Sequence, residues 1–196
     1  MVTIRLATPD DDRQILDIYS PIILNTPISF EYEVPSVQEM QGRIEKTLHH
    51  FPWLVCEVDG VAAGYAYAGH HRVRAAYQWS VDVTVYVHGD YRRHGIGRAL
   101  YTALFEVLVL QGYYNAYAGI TLPNPASVGL HESVGFQPLG VYHAVGYKHG
   151  QWYDVGWWER PLQPRTLEPE APRSIHEVTA EAMSKALAVG VGLVRV

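Results

Sequence analysis

From Ser80 to Val87 the chain alternates, with Val81, Val83, Val85 and Val87 on one face and Ser80, Asp82, Thr84 and Tyr86 on the other. A period of two with β-branched residues predominating predicts a half-buried strand. Arg92-Arg93-His94-Gly95-Ile96-Gly97-Arg98 follows as a basic, glycine-bearing turn. Beyond it the period changes: Gly97, Leu100, Tyr101, Leu104 and Leu108 share one helical face, and Gln111-Gly112 ends the helix. The first amides of such a helix have no intrahelical acceptor and carry partial positive charge, so the turn can hold a phosphate. A strand bearing one acid and feeding a phosphate cradle suggests a site for a phosphorylated cofactor.

The flanking patterns build a domain around this unit. Thr3 to Leu6 reads as a first strand, and Thr8-Pro9-Asp10-Asp11-Asp12 as a helix start whose apolar stripe is Ile15, Ile18, Tyr19 and Ile22. Asn25 to Tyr32 is a loop carrying Ile28 and Phe30, and Ser36 with Glu39 is spaced as the capping box of a second helix ending near His50. Trp53–Val58 and Val61–Ala68 flank Asp59-Gly60 as a hairpin, followed by a polar loop from Gly69 to Tyr77. Asn115 to Leu122 is a further strand, and Asn124-Pro125 opens a helix that Gly135 stops. Phe136–Tyr142 and Tyr153–Glu159 close the domain as paired strands across a loop containing Lys148-His149-Gly150. The order β-α-α-β-β-β-α-β-α-β-β predicts an α/β chain, a mixed sheet covered by helices. Residues 1–160 form this domain. Residues 161–196, with prolines at 161, 164, 169 and 172, read as an extended tail with a short helix over 178–189 and no evident partner.

Composition narrows the classes of function. The 196 residues are 48% hydrophobic and 18% charged, enough for one globular domain with a sizeable core. A net charge of −5 disfavours wholesale binding to nucleic acid or anionic membrane and sets the basic turn apart from its background. Cys56 is the single cysteine, which excludes an intrachain disulfide or a cysteine-rich zinc site, and it is expected as a buried strand thiol. The N-terminal stretch, with Arg5 and three aspartates, lacks the apolar run of a signal peptide, and no stretch approaches the ~20 apolar residues of a membrane span. The pairs His49-His50 and His70-His71 lack an acid or cysteine at ligand spacing, so no metal site is expected. The turn also lacks the Gly-Lys-Ser/Thr of a nucleotide-binding phosphate loop.

Arg92-x-x-Gly95-x-Gly97 after the valine strand resembles the acetyl-CoA signature of the GNAT family of N-acetyltransferases, and the element order is similar to theirs. Further segments resemble one branch, the phosphinothricin and methionine sulfoximine/sulfone acetyltransferases. They are Trp53-Leu54-Val55, Thr84-Val85-Tyr86-Val87, Leu122-Pro123-Asn124, Leu130-His131-Glu132, and Gly146-Tyr147-Lys148-His149-Gly150 with Asp154-Val155-Gly156. The likeness covers about residues 2–160. It implies a mixed, mostly antiparallel sheet of about seven strands flanked by about four helices. It also implies a cytoplasmic homodimer that transfers acetyl from acetyl-CoA directly to a small amino-acid-like amine, with no metal, nucleic acid or membrane.

Residue by residue, the resemblance assigns the diphosphate to Arg93, His94, Gly95, Ile96, Gly97 and Arg98, and the pantetheine arm to the backbone of Val85, Tyr86 and Val87. Asn124 would hold the same arm, although it also reads as a plain helix cap, and Ser133 would touch the cofactor. Asp82 stands at the position of the general base, where members of the branch carry glutamate. The shorter acid acts directly or through water, against the ordinary reading of a solvated strand carboxylate. His131 stands where many members place a tyrosine that protonates coenzyme A, against the plain reading of a satisfied structural histidine. The acceptor falls to Arg72, Val73 and Arg74 with Asp82, Val83 and Thr84, since an arginine fork suits a carboxylate. Phe30, Tyr77 and Trp79 are candidate walls. Two readings compete with the small amino acid: another small amine or protein N-terminus as acceptor, and a non-catalytic acetyl-CoA sensor. The tail beyond about Ser174 passes the usual family end, as an accessory segment or an appended remnant.

Overall fold

The computed structural model of the chain describes residues 1–195. Seven strands, β1 (Val2–Leu6), β2 (Trp53–Val58), β3 (Val61–His70), β4 (Ser80–Val87), β5 (Asn115–Leu122), β6 (Gln137–Lys148) and β7 (Gln151–Pro161), form one sheet in the order β1-β2-β3-β4-β5-β7-β6. Every neighbouring pair is antiparallel except β4 and β5. Five α-helices accompany it among the described residues: α1 (Asp12–Asn25), α2 (Val37–Leu48), α3 (Ile96–Gln111), α4 (Pro125–Ser133) and α5 (Ala180–Val191). The seven-stranded mixed sheet is the one expected, α1 to α4 are its flanking helices, and α5 lies where the sequence reads a short tail helix over 178–189.

The continuous apolar run of β2 is explained by cover on both faces. Leu54, Cys56 and Val58 point into a core with Val81, Val83, Leu100, Leu104, Ala116 and Ala118 beneath α3. Trp53 and Val55 point into a second core with Ile15, Ile18, Ile22 and Met40 beneath α1 and α2. Each buried valine, leucine, isoleucine or methionine among them contributes ~1.5–3 kcal/mol by leaving water. Ser36 accepts from the Glu39 amide while the Glu39 carboxylate accepts from the Ser36 amide, so the capping box starts α2 as its spacing predicts. No helix among the described residues is long and apolar enough to cross a membrane.

Two regions differ from the sequence expectation. The closing strands are longer, and the loop between them shrinks to the two residues His149-Gly150, both at positive φ (+49° and +81°). Lys148 is the last residue of β6 and is buried, its amine donating to the Ile23 and Ser29 carbonyls at 2.6 and 2.7 Å. The tail, for which no partner was evident, is docked: Ile175, Met183 and Ala186 bury against Val107 of α3.

Candidate active site

β4 and β5 pair over only three rungs, Ser80–Asn115, Val81–Ala116 and Asp82–Tyr117. Beyond Asp82 the two strands part. β4 keeps β3 on its far side through Val87, and β5 keeps β7 through Leu122, so among the described residues the two facing edges have no strand partner from Val83 and Ala118 onward. Strand edges present free N–H and C=O groups, which suit an extended polar arm laid between them. The gap is a cleft of about 90 Å³ lined by Val83–Tyr86, Gly119–Thr121, Ile28, Asn124, Ser127, Tyr101 and His131. It brings together Val83, Thr84, Val85, Tyr86, Asn124 and His131 of the residues singled out from sequence.

The glycine turn lies at the N-terminus of α3. Arg93 and Gly95 adopt positive φ (+64° and +82°), folding the chain sharply before the helix. Gly95 offers no side-chain cap, so the Ile96, Gly97 and Arg98 amides lack the partner a capping hydroxyl would supply. A Cβ on Gly97 would come within 2.9 Å of Leu130, which is how closely α4 approaches the turn. Among the described residues the buried His94 Nδ1 has no hydrogen-bond partner, and the side chains of Arg92, Arg93 and Arg98 are exposed around it. Uncapped amides, an orphaned ring nitrogen and three guanidinium groups fit a diphosphate.

Asp82 occupies the last rung before the fork. Its Oδ1 lies 2.6 Å from the Nδ1 of His71, and the imidazole stacks on Tyr117 at 4.2 Å between centroids. Burial raises the Asp82 pKa, while the His71 hydrogen bond and the nearby His71 and Arg72 pull it back down. His71 and Arg72 line a second cavity of about 340 Å³ with Tyr117, Tyr142, Trp157 and the Leu139-Gly140 strand segment. The Arg72 guanidinium sits 5.8 Å from the Trp157 ring centroid. Asp82 thus stands between a cavity holding one arginine and the mouth of the β4–β5 cleft.

At the other side of the cleft His131 is buried, with both ring nitrogens engaged. Nδ1 is 2.7 Å from the Ser127 carbonyl, which can only accept, so the proton is on Nδ1. Nε2 is then the acceptor of the Tyr101 hydroxyl at 2.8 Å. Burial lowers the His131 pKa against the Ser127 bond and holds the ring neutral, and burial raises that of Tyr101, so the phenol keeps its proton. Asn124 accepts from the Ser127 amide as the cap of α4, fixing the helix that carries His131.

Other sequence candidates lie apart. Val73 is 98% exposed, and Arg74 is an exposed residue opening a single helical turn. Ser133 is exposed and donates to the Leu130 carbonyl of its own helix. Phe30 packs so tightly on Gly146 of β6 that a Cβ there would overlap its ring. Tyr77 meets His71 edge-on at 6.1 Å, but Trp79 turns away and donates to the Glu170 carbonyl of the tail. A larger cavity of about 600 Å³ between α2, β2 and β3 has no carboxylate in its lining and does not reach the glycine turn. His71, Tyr101, Tyr117 and Trp157 were not singled out from sequence as site residues. Only the β3–β4 register, which places Gly69 opposite Asp82, could have pointed to His71.

A split parallel pair, a glycine turn at a helix N-terminus and an acid at the fork define an acyl-CoA-dependent acyltransferase. The model of the acetyltransferase (GNAT) domain matches residues 4–157, and the chain belongs to that family. It is 43% identical over 172 residues to the phosphinothricin N-acetyltransferase of Streptomyces viridochromogenes, covering 86% of this chain and 94% of that one. It is 32% identical over 162 residues to the L-methionine sulfoximine/L-methionine sulfone acetyltransferase of Salmonella typhimurium, covering 82% and 95%. A crystal structure of a GNAT superfamily phosphinothricin acetyltransferase from Sinorhizobium meliloti in complex with acetyl-CoA superposes with a TM-score of 0.82. Its identity is 34%, and the match covers 86% of this chain and 93% of that one. The protein is an acetyltransferase.

Proposed function

We propose that the protein acetylates the amino group of a small amino-acid-like acceptor of the phosphinothricin, methionine sulfoximine or methionine sulfone type, using acetyl-CoA in a ternary complex. The observation that carries this reading is the position of Asp82. It is hydrogen-bonded to His71 at the apex of the β4–β5 fork, next to an open, aromatic-lined cavity that Arg72 borders.

Acetyl-CoA supplies the activated acetyl group. The chain supplies the rest. The amides of Ile96, Gly97 and Arg98, with the surrounding arginines, hold the diphosphate, and the free β4 edge at Val85–Val87 holds the extended arm. Arg72 pairs with the acceptor's acidic group, since a guanidinium fork matches a carboxylate or phosphinate. The Asp82 carboxylate takes the proton of the acceptor ammonium, directly or through water, and His71 fixes its orientation. The single proton of the Tyr101 hydroxyl is bonded to the His131 Nε2, and that of His131 to the Ser127 carbonyl, so the departing thiolate takes its proton from water.

The test is coenzyme A release from acetyl-CoA with phosphinothricin, methionine sulfoximine, methionine sulfone and a peptide panel. Turnover on the three analogues and not on the peptides is expected. Turnover on peptides alone assigns a protein N-terminus instead. Acetyl-CoA binding without acetylation of any amine leaves the sensor.

A further inference from the structure

The tail ends on the cofactor turn. α5 crosses the first turns of α3 at Gly190, where a Cβ would overlap the Ala99 carbonyl oxygen and lie 2.8 Å from Ile4. Leu187, Val191, Leu193 and Val194 pack on the main core beside it. The chain then runs against the glycine turn. A Cβ on Gly95 would overlap the Leu193 carbonyl oxygen, and the Arg195 amide donates to the His94 carbonyl at 2.8 Å. The upstream part of the tail is tied as well, since Arg173 and Gln111 exchange hydrogen bonds and the Ile175 amide donates to the His50 carbonyl. The whole segment lies outside residues 4–157, which the family model matches.

We propose that the C-terminal segment Leu193–Arg195 is a positioning brace for the diphosphate turn, holding His94 and Gly95 in the conformation that presents the Ile96, Gly97 and Arg98 amides to the anion. It rests on the reading of that turn as the diphosphate site. The turn needs such support: two of its residues sit at positive φ, one of them the non-glycine Arg93. A loop already ordered in the binding conformation loses less freedom when the ligand arrives, and affinity rises accordingly. Two groups on the tail do the holding, the Arg195 amide on His94 and the Leu193 carbonyl against Gly95.

Three variants separate the contacts. Truncation after Gly192 removes the brace and keeps α5. Arg195→Pro removes the donating amide together with the guanidinium. Arg195→Ala keeps that amide and removes the guanidinium. The readouts are the acetyl-CoA dissociation constant by calorimetry and hydrogen exchange of amides 94–98 in the free protein. The truncation and Arg195→Pro are expected to weaken acetyl-CoA binding by about fivefold, the value of one hydrogen bond, and to speed exchange at 94–98. Arg195→Ala is expected to leave both within twofold of wild type. Wild-type affinity and exchange in the truncated chain overturn the brace, and tighter binding identifies the segment as an obstruction instead. Should the truncated chain fail to fold, Arg195→Pro carries the same test. A wild-type protein that binds no acetyl-CoA overturns the diphosphate reading, and the brace with it; that outcome is distinct from equal binding by wild type and variants.

Discussion

The carboxylate of Asp82 is held by opposed effects: burial favours its neutral form, and the His71 hydrogen bond favours its anion. Removing the bond while keeping the ring stacked on Tyr117 releases one side of that balance. His71→Phe is therefore expected to raise the Asp82 pKa further and move the acid limb of the kcat/KM–pH profile to higher pH. An acid limb that stays in place contradicts a functional pairing. Of these residues, Asp82 was legible in sequence because strict alternation places it on the polar face of a valine strand. His71 was not, because the pairing depends on how far β3 runs past its hairpin and on a loop that bends back. Tyr101 was legible as a core residue only, since its bond to His131 arises from the packing of α4 on α3 at Gly97.

At the scale of elements, the loop after α1 is tied to the β6–β7 hairpin at three points. Phe30 packs on Gly146, Tyr32 donates to the Tyr147 carbonyl, and the buried Lys148 amine bonds the Ile23 and Ser29 carbonyls. Lys148→Met keeps most of the apolar stem and leaves two buried carbonyls unpaired, at a cost of about 2–4 kcal/mol. Denaturant unfolding measures it, and a midpoint equal to wild type contradicts the role of the amine. The hairpin was under-read from sequence for a physical reason. Between Tyr142 and Gly146 the register shifts, Ala144 takes a φ of +47°, and Asp154 accepts from the Ala144 amide. Such a bulge breaks the alternation by which strands are recognised. A lysine beside His-Gly reads as a turn residue, and only the two carbonyls that receive it permit burial. The shape of the glycine turn was legible because its signals are local, glycine for positive φ and a helix start for free amides, but the positive φ of Arg93 was not.

At the scale of the molecule, the order of strands and helices was legible because each element carries its own period and its own start or stop signals. The docked tail was not, although a signal for it exists. α3 buries Ala99, Ala103 and Val107 in addition to its expected face, and a helix that is apolar nearly all round has neighbours on both sides. The second neighbour is α5. The assembled molecule sets a split strand pair between the glycine turn that starts α3 and an acid beside a small cavity. We propose that the Asp82 carboxylate at the fork takes the proton of the acceptor ammonium and so frees the amine lone pair for attack. The most direct measurement is kcat/KM for the best acceptor in wild type and Asp82→Asn, alongside the acetyl-CoA dissociation constant of each. The account predicts a loss of about 10²–10⁴-fold in kcat/KM at unchanged acetyl-CoA affinity. A kcat/KM within twofold of wild type contradicts it.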